Sequence, residues 1–422
     1  MKDYRSTRIP NFFEFIRIAC PICGHTGGCM VNSEGDRVAC IRIESDRAFS
    51  KNSALPSWLH FLRRNKQQKI EYQDIEEMGN KKLSDEELNE IYSNMLDYME
   101  LTEEHYSHLT SPSRGLNEEQ IITRAYMSFP NSPWSLARTI QNDLGIDSFA
   151  GVPGFYEAKG KKGSIYWSIS GQKGILLPYR NVRNEITGFQ YRLDNPPPIA
   201  KVKQLSGIHG LKARNDGSHV TVIHQNVIVF EQEMMIGETK QVEDLNGKLL
   251  GFVTLKKGTR YFWLSSAKKK NGTGSGSPNP VHVSIPSNQL RTWKPGQGIK
   301  RKIVWLTEGP LKADISSDMI HQLYSPEQIA LYGDTFIAIP GVNSWQTVIP
   351  VLEELGVEEI NLAFDRDFSS NKYVMNSLKE FMGHAKKLGY HINMVSWGKE
   401  DGKGIDDLFV SQRKIPTITP IF

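Results

Sequence analysis

Acidic side chains follow two apolar runs in the last third of the chain. Glu308 closes "KIVWLTE", and Asp365 and Asp367 close "INLAFDRD". Residues two apart on a strand share a face, and ligands of open parallel sheets bind beyond the carboxyl ends of the strands. The three carboxylates should therefore converge at one sheet edge. They repel one another unless cations neutralise them, and oxygen ligands favour Mg²⁺ or Mn²⁺. The pattern predicts a divalent-metal site suited to phosphoryl or nucleotidyl transfer.

A carboxylate at the end of one strand is more often a solvated loop residue than a ligand, so the prediction depends on both motifs together. Lys312 lies one helical turn after Glu308. Two interpretations of Lys312 stay open: it contacts a phosphate, or it pairs with Glu308 at helical spacing. Arg366, between the two aspartates, is expected to point to the opposite face in a structural role.

The four cysteines of the chain all lie between residues 20 and 40. Cys20 and Cys23 form a C-x-x-C knuckle. The segment from Cys29 to Cys40 is typical of a β-hairpin with residues 34–35 at its turn, which places these two cysteines opposite each other with Cβ atoms about 5 Å apart. Clustered thiols in a cytosolic chain indicate metal rather than disulfides.

The cysteine pattern predicts a tetrahedral four-cysteine zinc site. His25 could replace one of the four ligands. The zinc is expected to be structural rather than catalytic, because four thiolates leave no open coordination position.

Composition limits the class of protein. The chain has 422 residues, 39% hydrophobic and 23% charged, with a net charge of +4, as is ordinary for a soluble globular protein. No apolar run reaches the roughly 18 residues that span a bilayer, and the N-terminus lacks the apolar region of a signal peptide. We expect a cytoplasmic protein without a membrane partner. No G-x-x-x-x-G-K-[ST] motif is present, so the chain is not itself a helicase.

The elements that must hold these residues fall into four predicted segments, which make a multidomain α/β protein. Residues 1–60 form a zinc ribbon, and residues 61–125 form a linker with a helical segment. Residues 126–299 alternate short β-rich runs with turns and form a mixed α+β subdomain. Residues 300–422 alternate strands and helices, which indicates an α/β domain with a mostly parallel sheet.

The acidic motifs resemble a known family. Glu308-Gly309 with Lys312-Ala313-Asp314, followed by Asp365-x-Asp367, resembles the TOPRIM domain of bacterial-type primases, topoisomerases and some nucleases. The segment "GKGIDDLF" (402–409) is similar to the later acidic segment of primase TOPRIM domains. That similarity implies that Asp406, or else Asp407, joins the magnesium ligands.

The resemblance extends upstream of the acidic motifs. The run "LLPYRNVRNEITGFQYRLD" and the later "RYFWLSS" are similar to the segment that precedes TOPRIM in bacterial primases. Arg192 matches the arginine of that segment, and Arg260 with Tyr261 matches its Lys-Tyr pair. The insertion at about 200–258 departs from the short family spacing. Most of the chain resembles the primase-like proteins of phages, plasmids and mobile elements.

The resemblance implies a DNA primase, an enzyme of the DNA-directed RNA polymerase type that joins nucleoside triphosphates on a single-stranded DNA template. It implies a zinc ribbon that helps to choose the initiation site, and a replicative helicase as a separate partner. It also implies nucleic-acid contacts upstream of the acidic motifs, from Arg180, Arg183, Arg192, Arg260, Tyr261, Lys268, Lys269 and Lys270.

Several alternatives stay open. The aromatic residues Tyr191, Tyr261, Phe262 and Trp263 could stack on bases, but as strand residues they are more often core. A topoisomerase would need an active-site tyrosine on further large domains. A TOPRIM nuclease fits the metal chemistry but not the zinc ribbon and the basic region. A non-catalytic single-stranded DNA-binding accessory protein is the third alternative.

Overall fold

The computed structural model describes residues 3–7, 9, 11–50, 56–62, 72–73, 80–276, 278–366 and 372–422, with the side chains at 72, 73, 343, 372 and 373 left out. Asp367 lies outside the described residues. Two compact units divide the chain. The N-terminal unit joins the described part of residues 1–78 to residues 195–260, and the main unit comprises residues 79–194 and 261–422. Residues 195–260, placed by the sequence within the 126–299 segment, are therefore compact with the N-terminal part. The predicted domain boundaries stay a prediction.

The N-terminal part of this first unit is built on one seven-stranded sheet, ordered β5-β6-β4-β3-β2-β1-β7. Its strands are β1 (Tyr4–Ser6), β2 (Phe12–Phe15), β3 (Met30–Asn32), β4 (Arg37–Cys40), β5 (Ala48–Ser50), β6 (Ser57–Phe61) and β7 (Tyr72–Gln73).

The hairpin of β3 and β4 has the predicted register. Val31 lies opposite Val38, and extending this register by two residues places Cys29 opposite Cys40. Gly35 takes the turn with φ of 70°, a left-handed conformation that glycine adopts without steric cost. The hairpin prediction is confirmed.

Four helices open the main unit: α1 (Asp85–Asp97), α2 (Glu103–Leu109), α3 (Glu118–Arg124) and α4 (Pro133–Leu144). The predicted capping box at the start of α1 is present, since Ser84 Oγ accepts from Glu87 N at 3.3 Å and Glu87 Oε2 accepts from Ser84 N at 2.9 Å. The apolar positions of α1 recur at helical spacing and are buried.

Five strands follow: β8 (Met127–Ser128), β9 (Phe155–Lys159), β10 (Ile165–Ile169), β11 (Gly174–Arg180) and β12 (Ile186–Leu193). Strands β9 and β10 form a separate hairpin. Strands β8, β11 and β12 form an antiparallel sheet, which the later segment Tyr261–Trp263 completes by pairing with β12.

The insertion, residues 195–260, belongs to the N-terminal unit and carries six strands. They are β13 (Ile199–Gln204), β14 (Lys212–Asp216), β15 (His219–His224), β16 (Val227–Glu233), β17 (Thr239–Glu243) and β18 (Leu249–Lys256). Two three-stranded sheets, β13-β18-β17 and β14-β15-β16, enclose a core of their own that includes Leu211, Val222 and Val253.

The rest of the chain returns to the main unit. Its strands are β19 (Tyr261–Trp263), β20 (His282–Ser284), β21 (Ile303–Glu308), β22 (Thr335–Ile339), β23 (Glu359–Leu362), β24 (His391–Ser396) and β25 (Thr417–Pro420). Its α-helices are α5 (Ser287–Leu290), α6 (Pro310–Leu323), α7 (Pro326–Tyr332), α8 (Ile349–Leu355), α9 (Lys372–Lys387) and α10 (Ile405–Asp407). No helix among the described residues is long and apolar enough to cross a membrane.

The last six strands form a sheet in the order β20-β22-β21-β23-β24-β25, in which β22, β21, β23 and β24 are parallel neighbours. Alternate residues of β21 face two different cores: Val304 and Leu306 pack with α8 and α9, and Trp305 packs with α6. Helices therefore cover both faces, which explains why these strands read as continuous apolar runs.

A buried ionic cluster joins α3 to α6. Arg124 is 3% exposed and donates to Asp314 at 2.6 Å and to Asp318 at 2.9 Å. His282 Nε2 and the Tyr126 hydroxyl also contact Asp314, at 2.9 and 2.5 Å. Burial alone would raise the pKa of Asp314, but the charge of Arg124 and the contact with His282 outweigh it and hold this pKa well below its usual range.

Replacing Arg124 by methionine is expected to lower the free energy of unfolding of the main unit by about 3–5 kcal/mol, because Asp314 and Asp318 would stay buried without their cation. Denaturant unfolding at pH 7 measures the change. Arg291→Met is the control, since its ion pair with Glu119 is mostly exposed and such pairs contribute little. Equal midpoints for the two variants would contradict the prediction.

The same cluster predicts a pH dependence. Asp314 has a lowered pKa when folded and an ordinary pKa of about 3.9 when unfolded. Its contribution is therefore complete above the unfolded value and is lost as the pH falls toward the folded one. We expect acid to destabilise the wild type more steeply than the Arg124→Met variant.

Candidate functional site

The four cysteines converge in the N-terminal unit. All are buried, and their sulfur atoms lie within 4.8 Å of one another. The Sγ–Sγ distance is 3.6 Å from Cys23 to Cys29 and 3.7 Å from Cys29 to Cys40. A tetrahedral zinc with Zn–S bonds of about 2.3 Å requires sulfur atoms about 3.8 Å apart. The cysteines therefore fit zinc, and within the described residues they form the only such group of metal-binding side chains.

Hydrogen-bond donors surround the sulfur atoms. The backbone N–H groups of Arg42 and Ile43 donate to Cys40 Sγ at 3.4 and 3.3 Å, and Arg42 Nη1 lies 3.4 Å from Cys29 Sγ. Such donors stabilise thiolates and orient them as ligands. The predicted alternative ligand, His25, instead places its Nδ1 2.7 Å from the carbonyl oxygen of Cys23.

A cleft of about 460 Å³ opens in the main unit at the carboxyl ends of the parallel strands. It brings together Glu308 at the end of β21, Asp365 after β23 and Asp406 on α10. Its other lining residues are Arg114, Gln190, Tyr261, Gly309, Pro310, Leu311, Lys312, Ile339, Pro340, Lys403, Gly404 and Asp407.

Two lysines hold Asp365. Lys312 Nζ contacts Asp365 Oδ1, and Lys403 Nζ lies 3.2 Å from Asp365 Oδ2. The ion pair of Lys312 is therefore with Asp365, 53 residues away, and not with Glu308 one turn earlier. Burial lowers the pKa of Lys312, and the carboxylates of Asp406 and Glu308 partly offset this effect.

Glu308 is positioned by the backbone. Its Oε1 accepts from Val342 N at 3.1 Å, at the start of the 3₁₀ segment Val342–Val348. Gly309 then has φ of 83°, a left-handed conformation that lets the chain turn from β21 directly into α6. The carboxylate is thus held by a backbone N–H where it lines the cleft.

Asp406 and Asp407 have different environments. Asp406 Oδ2 lies 3.3 Å from Arg114 Nη1, and burial raises the pKa of Asp406 while Lys312 lowers it. Asp407 Oδ2 accepts from the N–H groups of Lys403 and Gly404, both at 3.0 Å. Asp407 therefore caps its own turn, which leaves Asp406 as the better candidate ligand.

Gly404 gives Asp406 and Lys312 room to approach. A Cβ at this position would lie 2.3 Å from Asp406 Oδ1 and 2.9 Å from Lys312 Cε. Any larger residue would displace one of the two side chains. Arg366 holds the neighbouring loop, since its Nη1 donates to the carbonyls of Gly398 and Gly402 at 2.8 and 3.1 Å, in keeping with its expected structural role.

The donor set of the cleft fits a hard divalent cation in chemistry, because Glu308, Asp365 and Asp406 supply only oxygen ligands. Among the described residues, however, no three carboxylates come as close to one another as the cysteines do. In the described structure, Lys312 and Lys403 rather than a metal ion balance the charge of Asp365.

The predicted basic residues are not among the residues that line the cleft. Arg180 Nη1 donates to Asn184 at 3.0 Å, Arg183 pairs with Glu354 at 3.5 Å, and Arg192 is buried in β12. Arg260 is exposed and belongs to the N-terminal unit. Of the predicted nucleic-acid-binding residues, Tyr261 alone lines the cleft within the described part of the chain.

Lys268, Lys269 and Lys270 form an exposed turn. Lys269 Nζ lies 4.0 Å from the ring centroid of Tyr156, and Lys270 Nζ lies 2.6 Å from Glu157 Oε2. Both contacts are with β9, so the turn is anchored to this hairpin.

The aromatic residues of the sheet mostly pack on one another. Tyr191 stacks on Phe262 with centroids 5.9 Å apart, and Trp263 packs on Tyr179 at 4.5 Å. Packing therefore accounts for Tyr191 and Trp263, whereas Tyr261 and Phe262 keep exposed surface.

A second surface was not predicted from the sequence. Trp134, Arg138 and Gln141 lie on one face of α4 and, with Tyr166 of β10, line a cleft of about 690 Å³. We call these four residues the aromatic patch. Trp134 is 51% and Tyr166 40% exposed, which is unusual for such large rings. In the sequence, the spacing of Trp134, Arg138 and Gln141 by four and then three positions indicated that they share one face of a helix.

Basic residues flank the aromatic patch. Lys159 pairs with Ile165 across the β9–β10 hairpin, and Lys161 and Lys162 are exposed in its turn. The surface thus combines exposed rings with positive charge.

Comparisons with known proteins give limited matches. A family described as a domain of unknown function (DUF3854) matches residues 299–415. A search of curated proteins found no match. The zinc-binding and RNA polymerase domains of the Aquifex aeolicus primase superpose with a TM-score of 0.41 and 10% identity, over 96% of this chain and 77% of that one. The RNA polymerase domain of Mycobacterium tuberculosis primase DnaG gives 0.41 and 13%, over 80% and 85%. A DNA primase domain from Pseudomonas aeruginosa gives 0.41 and 10%, over 79% and 80%.

Proposed function

We propose that the chain is a DNA primase, which joins nucleoside triphosphates on a single-stranded DNA template, and that residues 300–422 form its TOPRIM domain. The cleft at the carboxyl ends of the parallel strands carries the proposal, because it combines Glu308, Asp365 and Asp406 with Lys312 and Lys403. Nucleotidyl transfer needs both kinds of group: carboxylates for divalent cations and ammonium groups for phosphates.

The carboxylates and the exposed lysine of the cleft have separate proposed roles. Glu308, Asp365, Asp406 and Asp367, the last outside the described residues, would hold Mg²⁺ or Mn²⁺. When bound, these ions lower the pKa of an attacking 3′-hydroxyl and stabilise the leaving pyrophosphate. Lys403, which is mostly exposed, contacts phosphate oxygens of the incoming nucleotide.

The remaining residues of the cleft orient the substrate. Lys312 sets the position of Asp365 through their ion pair, and Arg114 does the same for Asp406. Tyr261 and Gln190 lie on paired strands that line the same cleft, where a ring and an amide can contact a base or sugar.

The aromatic patch is the proposed contact with the template. Exposed rings stack on bases without regard to sequence, and nearby cations follow the backbone. Trp134 and Tyr166 supply the rings, and Arg138 with Lys161 and Lys162 supplies the charge. The predicted phosphate contacts of Arg180, Arg183 and Arg192 are weaker candidates, because these side chains are paired or buried.

Replacing Trp134 by alanine should weaken binding to a single-stranded oligonucleotide by about 5- to 150-fold, the range that corresponds to 1–3 kcal/mol for one stacked base. Fluorescence anisotropy at fixed salt measures the affinity. Tyr98→Ala is the control, because Tyr98 is equally exposed but lies outside the patch. If both variants bind as wild type does, the patch is not the template contact.

The zinc ribbon helps to choose the initiation site, a separate replicative helicase is the partner, and the enzyme acts in the cytoplasm in the replication of a phage, plasmid or mobile element.

A primer-synthesis assay tests the proposed function. The full chain, loaded with zinc, is incubated with single-stranded templates, labelled nucleotides and Mg²⁺ or Mn²⁺. Short products that depend on template and metal would support a primase. Shortened template without new product would mean a TOPRIM nuclease, and DNA binding with neither activity would mean a binding protein.

One observation favours the non-catalytic candidate. Both carboxylate oxygens of Asp365 contact lysines, so two ammonium groups already balance its charge and compete with a divalent cation for its lone pairs. A protein that uses this cleft only to bind single-stranded DNA would keep both lysines paired with Asp365 throughout binding. Metal titration followed by the primer assay separates the two candidates.

A further inference from the structure

The insertion is not needed to complete the sheet that it interrupts. Strands β12 and β19 pair directly, with Arg192 opposite Tyr261, although residues 195–260 lie between them in sequence. The insertion is compact with the zinc ribbon instead.

Gln204, at the end of β13, connects the insertion to the zinc knuckle. Its Nε2 donates to the carbonyl oxygen of Cys23 at 3.2 Å, and its Oε1 accepts from Leu211 N at 3.0 Å. One amide side chain thus joins the backbone of a cysteine ligand to the loop of residues 205–211, which we call the seat loop.

The backbones of the knuckle and the seat loop also lie against each other. Gly24, directly after the ligand Cys23, has φ of 73°. A Cβ added there would lie 3.3 Å from the carbonyl oxygen of Leu211 and 3.5 Å from Gly210 Cα. The approach is therefore close and involves main-chain atoms, which cannot move aside as a flexible side chain can.

The core of the insertion fixes the seat loop. Leu205 N donates to Leu250 O at 3.0 Å, Ile208 N donates to Leu205 O at 3.1 Å, and Leu211 is fully buried. Gln204 itself lies opposite Gly251, where a Cβ would come within 2.4 Å of Lys203 O. The seat loop is thus an ordered surface of the insertion.

We propose that the insertion binds the zinc ribbon and fixes its position. Gln204 is the positioning residue that couples the metal knuckle to the insertion. Zinc orders the knuckle, because its ligands Cys20 and Cys23 are only three residues apart. Through Gln204 the same ordering reaches the seat loop. Coupling between the binding free energies of two sites is reciprocal, so the insertion in turn strengthens zinc binding. Since affinity differences appear mostly in the dissociation rate, we expect it to slow the loss of zinc.

Hydrogen exchange on the full chain tests the coupling from the metal side. Chelation of zinc is expected to reduce the protection of the seat-loop amides, above all that of Leu211, whose N–H donates to Gln204. The strands β15 and β16 serve as the internal reference. Unchanged seat-loop protection after complete zinc removal would overturn the proposal.

Variants of Gln204 test the coupling from the other side. Gln204→Ala should speed zinc release to a colorimetric chelator by about 2- to 10-fold, as expected for the loss of one hydrogen bond. Gln241→Ala is the matched control, an exposed glutamine on β17 of the same insertion. Equal release rates for both variants would overturn the proposal.

Gln204→Glu separates the two hydrogen bonds and guards against a general loss of folding. The glutamate keeps an acceptor for Leu211 N but has no donor for the Cys23 carbonyl. We expect faster zinc release with unchanged exchange at Leu211 in the zinc-loaded protein. Wild-type release by this variant would show that the knuckle does not depend on Gln204. None of these measurements involves primer synthesis, so they stand apart from the proposed function.

Discussion

Replacing Asp365 by asparagine is expected to reduce primer synthesis by about 10²–10³-fold, the range for removal of one preorganised electrostatic group. Asparagine keeps the shape but removes the charge that both Lys312 and Lys403 contact. The cleft would then hold two lysines without their carboxylate and could bind a divalent cation only weakly. Single-turnover incorporation of one labelled nucleotide measures the effect.

Glu358→Gln is the matched control for Asp365→Asn. Glu358 is an exposed carboxylate paired with Lys302, and it precedes β23, whereas Asp365 follows that strand. A neutral substitution there should leave synthesis unchanged. Thermal unfolding of both variants checks that the fold is kept. Full activity of Asp365→Asn would show that this cleft does not carry the reaction.

Cys29→Ser should remove zinc from the protein and unfold the ribbon. Structural zinc contributes about 10–16 kcal/mol in small zinc-binding domains, which is as large as the roughly 5–15 kcal/mol that stabilises most folded proteins. Cys29 is fully buried and lies in one core with Val31 and Val38. Without the metal this small core has little else to hold it.

Metal analysis measures the loss, expected to run from one zinc per chain to almost none, and hydrogen exchange in β3 and β4 measures the unfolding. His25→Ala is the control and should keep its zinc, because the His25 ring contacts a carbonyl oxygen. If the histidine variant loses zinc as the cysteine variant does, then His25 is a ligand. If Cys29→Ser retains zinc, the four-cysteine site is wrong.

Sequence patterns predicted those parts of the fold that are determined by residues close together in the sequence. The β3–β4 register follows from a two-residue turn and the alternation of side chains, and the capping box at Ser84 follows from residues three positions apart. The positions of Glu308 and Asp365 at strand ends also follow from apolar runs that end in charge. In each case the determining residues lie within a few positions of one another.

Contacts between segments that are distant in the sequence could not be predicted from it. Lys312 pairs with Asp365, 53 residues on, and Arg114 reaches Asp406 across 292 residues. Side-chain spacing reveals neighbours on one helix or strand but not the partner that tertiary packing supplies. The nearby Glu308 was therefore considered as a partner for Lys312, and Arg114 was missed.

The association of the insertion with the N-terminal part of the chain could not be predicted for the same reason. Residues 195–260 have no periodic signal that points to the ribbon, and the link through Gln204 joins residues 181 positions apart. The aromatic patch was missed for a different reason: an exposed tryptophan and a buried one look alike in sequence.

Because Arg192 pairs with Tyr261, the sheet closes without any residue of the insertion. Paired strand residues lie about 5 Å apart, so the points where the chain leaves and re-enters the sheet could be joined by a short turn. A whole folded segment can enter or leave at such a junction in one recombination event without breaking a strand. A chain in which a short turn replaces residues 195–260 is therefore expected to keep the β12–β19 pairing, while its N-terminal part would lack the contact from Gln204 to Cys23.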